Sequence, residues 1–204
     1  MFSHNDEYYH NSFINNGAGV AVMYTTNVTM RYNSFEQNWG SSSYGMLLKD
    51  IRDSHVEFNI FSSNTSGIYM EGVSRTVFHL NEFRENGYAI KLMASCDDNT
   101  FSKNNFKGNT FDISTNSRTV LNSLDQNYWD KYQGYDRDRN GFGDVPYRPV
   151  SLFSMIIEQV PPAVILWRSF LVLVLDRAEK SLPAVTPENL KDESPKMKAH
   201  DLHS

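Results

Sequence analysis

The residues best suited to chemistry form an Asp- and Gly-rich segment that begins at Asp136. Three oxygen-bearing side chains stand at alternate positions, a glycine follows them, and another aspartate stands at the ninth place. This spacing reproduces the first half of an EF-hand-type calcium loop. The twelfth place holds Tyr147 instead of a bidentate glutamate, so an EF-hand proper is excluded. The ligands of the predicted calcium loop would be Asp136, Asp138, Asn140, the carbonyl of Phe142, and Asp144. The alternative is a Gly/Asp turn whose carboxylates cap backbone amides.

Methionines and one cysteine are the candidate soft ligands for copper. Met23, Met46, Met70 and Met93 are separated by 23, 24 and 23 residues, which suggests a column of sulfur atoms. When the short apolar runs are aligned, Met46 and Met70 fall among inward-facing residues, whereas Met23 and Met93 have the opposite parity. We therefore interpret Met46 and Met70 as core, with a methionine ladder for Cu(I) as the alternative. Cys96 is the single cysteine, so no intrachain disulfide forms; a free thiol at a bend and a copper or redox thiol both remain open.

Paired carboxylates could instead cleave polysaccharides, as acids on the outer face of a β-helix do. The candidate pairs are Asp50 with Asp53, Asp97 with Asp98, and Glu57 with Glu71. These pairs do not stand at matching positions of the repeat described below, so no acidic column emerges. No catalytic triad, P-loop or zinc spacing is present either. We assign no catalytic residue.

The elements that must position these side chains repeat about every 23 residues, a period typical of solenoids. The repeating unit is N-x-F-x-x-N. The leading asparagines are Asn11, Asn33, Asn59, Asn81, Asn104 and Asn127, each followed two residues later by Phe or, in the last unit, by Trp129. The second asparagines are Asn16, Asn38, Asn64, Asn86 and Asn109.

Short runs of alternating apolar and polar residues flank each unit and are bounded by Gly, Asn, Ser and Asp, a pattern that predicts strands. Three short strands and three bends fit one unit, so we predict a right-handed parallel β-helix over residues 1–127. Stacked coils place equal positions about 4.8 Å apart. Phenylalanines would then stack in the core, and asparagines would form hydrogen-bonded ladders at bends, where asparagine tolerates left-handed backbone.

The composition and the ends of the chain narrow the function. A net charge of −5 argues against a nucleic-acid partner, which would need a basic surface. The coil pattern starts almost at Met1 without a signal peptide or a capping element. From this we expect the C-terminal part of a longer protein.

The C-terminal third departs from the repeat. We predict a closing loop at residues 128–150, an apolar helical segment at 151–182, and a flexible polar tail at 183–204. The apolar segment is too short and too interrupted by Arg168 for a membrane span. It would cap the open end of the solenoid or dock against a membrane partner.

The closing loop carries a resemblance to a known family. From Asn127 it reads N-Y-W-D-K-Y-Q-G-Y-D, and it ends at Pro149 in G-D-V-P-Y-R-P. Together with the apolar segment that follows, this motif resembles the C-terminal region of the NosD family, and the resemblance covers essentially the whole chain. Arg139 and Asn140 stand where Gly and Asp are commoner in the family.

The resemblance implies a periplasmic, non-enzymatic accessory protein for maturation of the copper–sulfur centre of nitrous oxide reductase. The implied partners are the permease and ATPase of an ABC transporter, with the reductase or a copper chaperone as client and membrane association only through these partners. Copper binding is implied without any residue-level site. Two alternatives remain: a secreted β-helix that binds or cleaves carbohydrate, and a purely structural solenoid module.

Overall fold

The computed structural model describes residues 3–117, 121–166, 169, 174–175, 187 and 189–202. It is a parallel β-solenoid of about five turns with coils of about 23 residues, as predicted, followed by one short helix. Sheet I contains β1 (Glu7–Tyr9), β4 (Thr29–Arg31), β7 (His55–Glu57), β10 (Val77–His79), β13 (Asp97–Ser102) and β16 (Leu121–Asp125). Sheet II contains β2 (Ser12–Ile14), β5 (Ser34–Glu36), β8 (Ile60–Ser62), β11 (Glu82–Arg84), β14 (Asn105–Lys107) and β17 (Tyr128–Trp129). Sheet III contains β3 (Ala18–Thr26), β6 (Tyr44–Arg52), β9 (Ser66–Glu71), β12 (Tyr88–Leu92) and β15 (Phe111–Thr115).

The predicted asparagine ladders stand at two of the three corners. At the corner between sheets I and II, the Oδ1 of Asn59 accepts hydrogen bonds from the backbone N and the Nδ2 of Asn33, at 2.9 and 3.0 Å. Its own Nδ2 donates to the carbonyl of Met30 and to Asn81 Oδ1, at 2.9 and 3.1 Å. The corner between sheets II and III repeats this pattern from Asn38 through Asn64. Each buried amide therefore forms hydrogen bonds with polar groups of both neighbouring coils.

A third, shorter ladder stands at the corner between sheets III and I, and the repeat did not reveal it. Thr76 N donates to Asn99 Oδ1 at 3.0 Å, and Asn99 N and Nδ2 donate to Asn122 Oδ1 at 3.0 and 2.8 Å. In an earlier coil the hydroxyl of Ser54 takes the same role by accepting from Val28 N. Because serine, threonine and asparagine share this column, no single letter recurs in the sequence.

Left-handed backbone occurs one position earlier than the prediction placed it. The residues immediately before the leading asparagines have φ between 51° and 56°, and the ladder asparagines themselves do not have positive φ. These left-handed residues are His10, Tyr32, Phe58, Leu80, Lys103 and Gln126. The turn is made by the preceding residue, and the asparagine is left to point its amide along the stack.

Stacked side chains fill the core. Phe13, Phe35, Phe61, Phe83 and Phe106 stack with centroid separations of 4.8–4.9 Å, and Trp129 closes the column 4.1 Å from Phe106. The register of sheet III aligns Met46 with Val20 and Ile68, and Met70 with Leu48 and Leu92. Both methionines are fully buried, which confirms their interpretation as core.

The apolar segment is helical at its start. Helix α1 (Leu152–Gln159) begins with Ser151 as its N-cap, and a 3-10 helix (Pro161–Leu166) follows. Phe153 and Ile157 pack against Phe111 of β15, and Glu158 forms an ion pair with Lys91 at 2.9 Å. Most of the densest apolar stretch, beyond Leu166, lies outside the described residues. No helix within the described ranges is long and apolar enough to cross a membrane.

The prediction of a flexible tail is wrong for residues 189–202. Leu190 and Asp192 are fully buried, and Asp192 and Lys196 form parallel bridges with β16 and β17. This C-terminal strap, residues 190–201, therefore lies on the last coil like part of a further coil. It covers the end of the solenoid that the apolar segment was predicted to cap.

The ladder predicts a steep dependence of stability on one buried amide. Asn59→Ala should lower the free energy of unfolding by about 2–4 kcal/mol, because it strands a backbone donor and a carbonyl in the interior. Urea unfolding followed by circular dichroism measures the change. The matched control is Asn11→Ala in the same ladder, because the amide of Asn11 is exposed and donates to Asn33 Oδ1. Equal losses for the two variants would contradict the ladder as a source of stability.

Candidate functional site

The residues that could bind a ligand or a metal lie together at the C-terminal end of the solenoid. They belong to the acidic loop, to the C-terminal strap and to β15, which contributes a buried aspartate. The first ladder stops at Asn127, and Asp192 supplies the missing acceptor. Its Oδ2 accepts from Asn127 N at 2.8 Å, from Asn127 Nδ2 at 3.1 Å and from Trp129 Nε1 at 3.1 Å. Its Oδ1 accepts from Gln126 N and Ser194 N at 3.1 and 3.2 Å. The carboxylate thus replaces the next asparagine of the ladder.

Burial raises the pKa of Asp192, and the hydrogen bonds from Asn127 and Trp129 oppose that rise. Sequence reasoning missed this residue. It lies 65 residues after Asn127 in a polar, proline-containing stretch, and it is not an asparagine. Nothing in the periodicity links the two positions.

The five residues of the predicted calcium loop lie together, and their side chains bind the loop's own backbone. Asp136 accepts from Asn140 N and Gly141 N at 3.1 and 2.8 Å. Asp138 accepts from Asn140 N and Nδ2, the Oδ1 of Asn140 accepts from Phe142 N, and Asp144 accepts from Arg137 N. This is the arrangement expected of the alternative Gly/Asp turn. Calcium binding stays a prediction.

The loop is also fastened to the strap. Gly143 N donates to the Pro195 carbonyl at 2.8 Å, and Lys196 Nζ lies 4.1 Å above the Phe142 ring. Burial alone would raise the pKa of Asp136, but the hydrogen bonds from Gly141, Asn140 and Arg139 hold it below its usual range. Asp136 is therefore a carboxylate that organises the turn.

Asp112 is the most perturbed carboxyl at this end. Its side chain is buried beneath Lys131, whose Nζ lies 3.2 Å from Oδ2, and Tyr147 OH donates to the same oxygen at 3.4 Å. Burial raises the pKa of Asp112 to about 6, although Lys131 lowers it. Neither the repeat nor the closing motif singled out this residue.

The His, Cys and carboxylate side chains of the described residues do not group as a copper centre. Among them, no group of three or more His, Cys, Asp or Glu side chains is placed to hold a metal ion. The thiol of Cys96 is buried, and burial raises its pKa to about 11, so it is not a thiolate at neutral pH. Met23 and Met93 are half-buried, while His79 and His200 contact Ser102 Oγ and the Gln126 carbonyl.

Three of the six acids considered for polysaccharide cleavage form ion pairs between coils. Asp53 binds Arg75 through two bonds of 2.7 and 2.9 Å. Glu57 pairs with Arg31 at 2.8 Å on sheet I, and Glu71 pairs with Lys49 at 2.9 Å on sheet III. The residues tie successive coils together and do not converge on a cleft.

Comparison with known proteins places this fold in a family. A family model described as "Periplasmic copper-binding protein (NosD)" matches residues 1–135. A protein of Stutzerimonas stutzeri named "Probable ABC transporter binding protein NosD" is 29% identical over 196 residues, which are 87% of this chain and 44% of the relative. A protein of the same name from Pseudomonas aeruginosa is 32% identical over 121 residues, 58% of this chain and 28% of the relative. The chain thus spans less than half the length of the curated relatives that it matches.

The hydrogen bonds of Asp192 lead to a prediction for stability and for hydrogen exchange at the end of the ladder. Asp192→Ala should cost about 2–4 kcal/mol, because it removes a charged acceptor from buried donors of Asn127 and Trp129. Hydrogen exchange should show faster exchange at the Gln126 and Asn127 amides. The control is Glu193→Ala, a neighbouring exposed carboxylate. Unchanged protection of those two amides in Asp192→Ala would show that the ladder does not depend on the strap.

Asp112 predicts a pH dependence with a defined sign. Because its pKa is raised from 3.8 to about 6 in the folded protein, its contribution to stability is lost as the pH rises through that interval. The stability of Asp112→Asn relative to the unsubstituted protein should therefore rise by up to about 3 kcal/mol between about pH 4 and about pH 7. Urea titrations across this range measure it, with Asp125→Asn, an exposed residue of β16, as control. A flat difference would contradict the raised pKa.

Proposed function

The chain belongs to the NosD family, and from this premise we propose that it is a non-enzymatic factor in maturation of the copper–sulfur centre of nitrous oxide reductase. In this proposal the solenoid is a protein-binding scaffold that works with the permease and ATPase of an ABC transporter. The family is described as periplasmic and copper-binding, and two relatives are named as probable transporter-binding proteins. The client is the reductase or a copper chaperone.

The observation that supports docking at the C-terminal end is an exposed apolar surface after α1. Val160, Ile165 and Leu166 are 52%, 84% and 40% exposed. Coils from Tyr44 to Ser117 expose no large apolar side chain of comparable extent within the described residues. Single exposed apolar residues such as Trp39 occur in the first coils as well, but several exposed apolar residues close together after α1 favour a protein interface there. We assign this surface to the permease, since membrane association is expected through that partner.

No group of three or more His, Cys, Asp or Glu side chains in the described residues could hold copper, and this limits the role that we propose for the coils. Copper contacts would come from a partner or from residues outside the described ranges, and the coils would supply only the binding surface. The carbohydrate-cleaving alternative is less well supported. Asp53, Glu57 and Glu71 each form an ion pair with an arginine or lysine of a neighbouring coil.

Docking is tested by charge substitution at the exposed apolar surface. In the full-length protein, Ile165→Asp with Leu166→Asp should reduce co-purification of the permease at least about tenfold, because it buries charge in an apolar contact. Val145→Asp is the matched control, an exposed valine of the closing loop. An unchanged melting temperature would show that the double variant is folded. Full recovery of the permease with the folded double variant would contradict the docking proposal.

Maturation is tested separately in cells that carry the same variants. The double variant should yield nitrous oxide reductase without the visible absorption of its copper–sulfur centre, and Val145→Asp should yield a complete enzyme. Loss of the permease contact together with a complete reductase would contradict the maturation role while leaving the docking surface in place.

A further inference from the structure

A cleft of about 170 Å³ lies where the last strand of sheet III meets the closing loop and α1. It is lined by Thr110, Phe111, Asp112, Lys131, Tyr147, Arg148, Pro149, Val150, Ser151 and Phe153. These residues come from β15, from the loop after β17 and from the start of α1. The cleft therefore exists only because the solenoid ends here.

The position of Asp112 explains why a carboxyl group stands in this cleft. In sheet III the corresponding positions of earlier coils are Gly19, Gly45, Gly67 and Ala89. A Cβ at Gly67 would lie 2.7 Å from the carbonyl of Ala89 in the next coil, so only glycine or alanine stands at the covered positions. Among the described strands β15 is the last of sheet III, so the side chain of Asp112 has room.

One oxygen of Asp112 has no partner. Its Oδ2 faces Lys131 and Tyr147, whereas Oδ1 is buried without a hydrogen bond within the described residues. Lys131 Nζ also donates to the Thr110 carbonyl at 3.2 Å. An ammonium group has three hydrogens, so Lys131 keeps one N–H beyond its hydrogen bonds to Asp112 Oδ2 and the Thr110 carbonyl. A buried acceptor without a donor is costly, so a bound group that donates to it would be stabilising.

The Oδ1 of Asp112 can accept a hydrogen bond and the remaining N–H of Lys131 can donate one, and these two groups limit which ligands fit. A carboxylate or phosphate cannot donate to Asp112 Oδ1, and an ammonium group cannot accept from Lys131. A hydroxyl group does both. The walls formed by Phe111, Phe153 and Pro149 are apolar and suit the C–H faces of a ring. A cavity of about 150 Å³ accommodates benzene, so this cleft admits a six-membered ring.

We propose that this cleft binds a monosaccharide-sized polyhydroxylated ring, with Asp112 accepting from one hydroxyl and Lys131 donating to a hydroxyl oxygen. Asp112 and Lys131 already form an ion pair, so the ligand needs no charge of its own to satisfy them, and any preference for an anion because of Arg148 is an outcome of the test. Such a site is separate from the exposed apolar surface around Ile165 and is independent of any role in copper-centre maturation. It gives the closed end of the solenoid a small-molecule function.

The test is a calorimetric titration of the full chain with glucose, galactose, mannose, N-acetylglucosamine and myo-inositol. At least one probe should bind, and Asp112→Asn should weaken it by about tenfold or more, because the amide oxygen stays with Lys131 and its NH2 faces the cleft without accepting. Lys131→Met, at a partly exposed position, should weaken the same probe without affecting the fold. Asp125→Asn should bind like the unsubstituted protein.

Several outcomes would overturn the site. Binding of none of the five probes would mean that water alone satisfies Asp112. If Asp112→Asn and Lys131→Met both bound the sugar as tightly as the unsubstituted protein does, the bound sugar would lie elsewhere on the solenoid. Stronger binding of acetate or methylammonium than of every sugar would assign the cleft to a charged ligand instead.

Discussion

The structure depends on the asparagine side-chain ladder. Each ladder amide accepts from the backbone and side chain of one coil and donates to the next, so the corners of all coils are held in register. A buried amide that lost these partners would cost as much as several ordinary contacts contribute. The ladder therefore fixes the coil spacing, and the coil spacing brings the phenylalanine rings into a stack. Packing follows from hydrogen bonding here, and both follow from one short repeat.

A ladder must also end, and its end is where the chain becomes chemically distinct. At the corner between sheets I and II, the backbone N and the Nδ2 of Asn127 donate to the carboxylate of Asp192. This carboxylate takes the role that the next asparagine has in the inner coils. On sheet III, β15 is the last strand within the described residues, and Asp112 stands where the inner coils have glycine or alanine. Both carboxyls have raised pKa values because both are buried by the closure of the solenoid. The same closure leaves Ile165 and its neighbours exposed on the outside. Within the described part of the chain, the inner coils act as scaffold and the closed end carries the candidate binding surfaces.

The sequence predicted the features that recur in every coil. It predicted few of the contacts that close the C-terminal end of the solenoid. Asn59 and Phe61 recur with their equivalents at a fixed spacing, so the sheets, two ladders and the aromatic column followed directly. The third ladder was missed because its positions hold different residue types, with the Ser54 hydroxyl and the Asn99 amide acting as the acceptors. Asp192 was missed because its partner Asn127 lies 65 residues away, and a contact formed by a returning segment leaves no periodic signal. Asp112 was missed because its environment depends on β15 being the last described strand of sheet III, which only the three-dimensional structure reveals.

The central claim is that the described coils are a protein-binding scaffold and do not themselves form a copper centre. A competition titration of the folded chain against a chromophoric Cu(I) chelator tests it most directly. The account predicts that the chain leaves the metal with the chelator, since Met46 and Met70 are buried in the core and Cys96 is a protonated, buried thiol. Withdrawal of one equivalent of Cu(I), lost when Met23 and Met93 are replaced by leucine, would contradict the account.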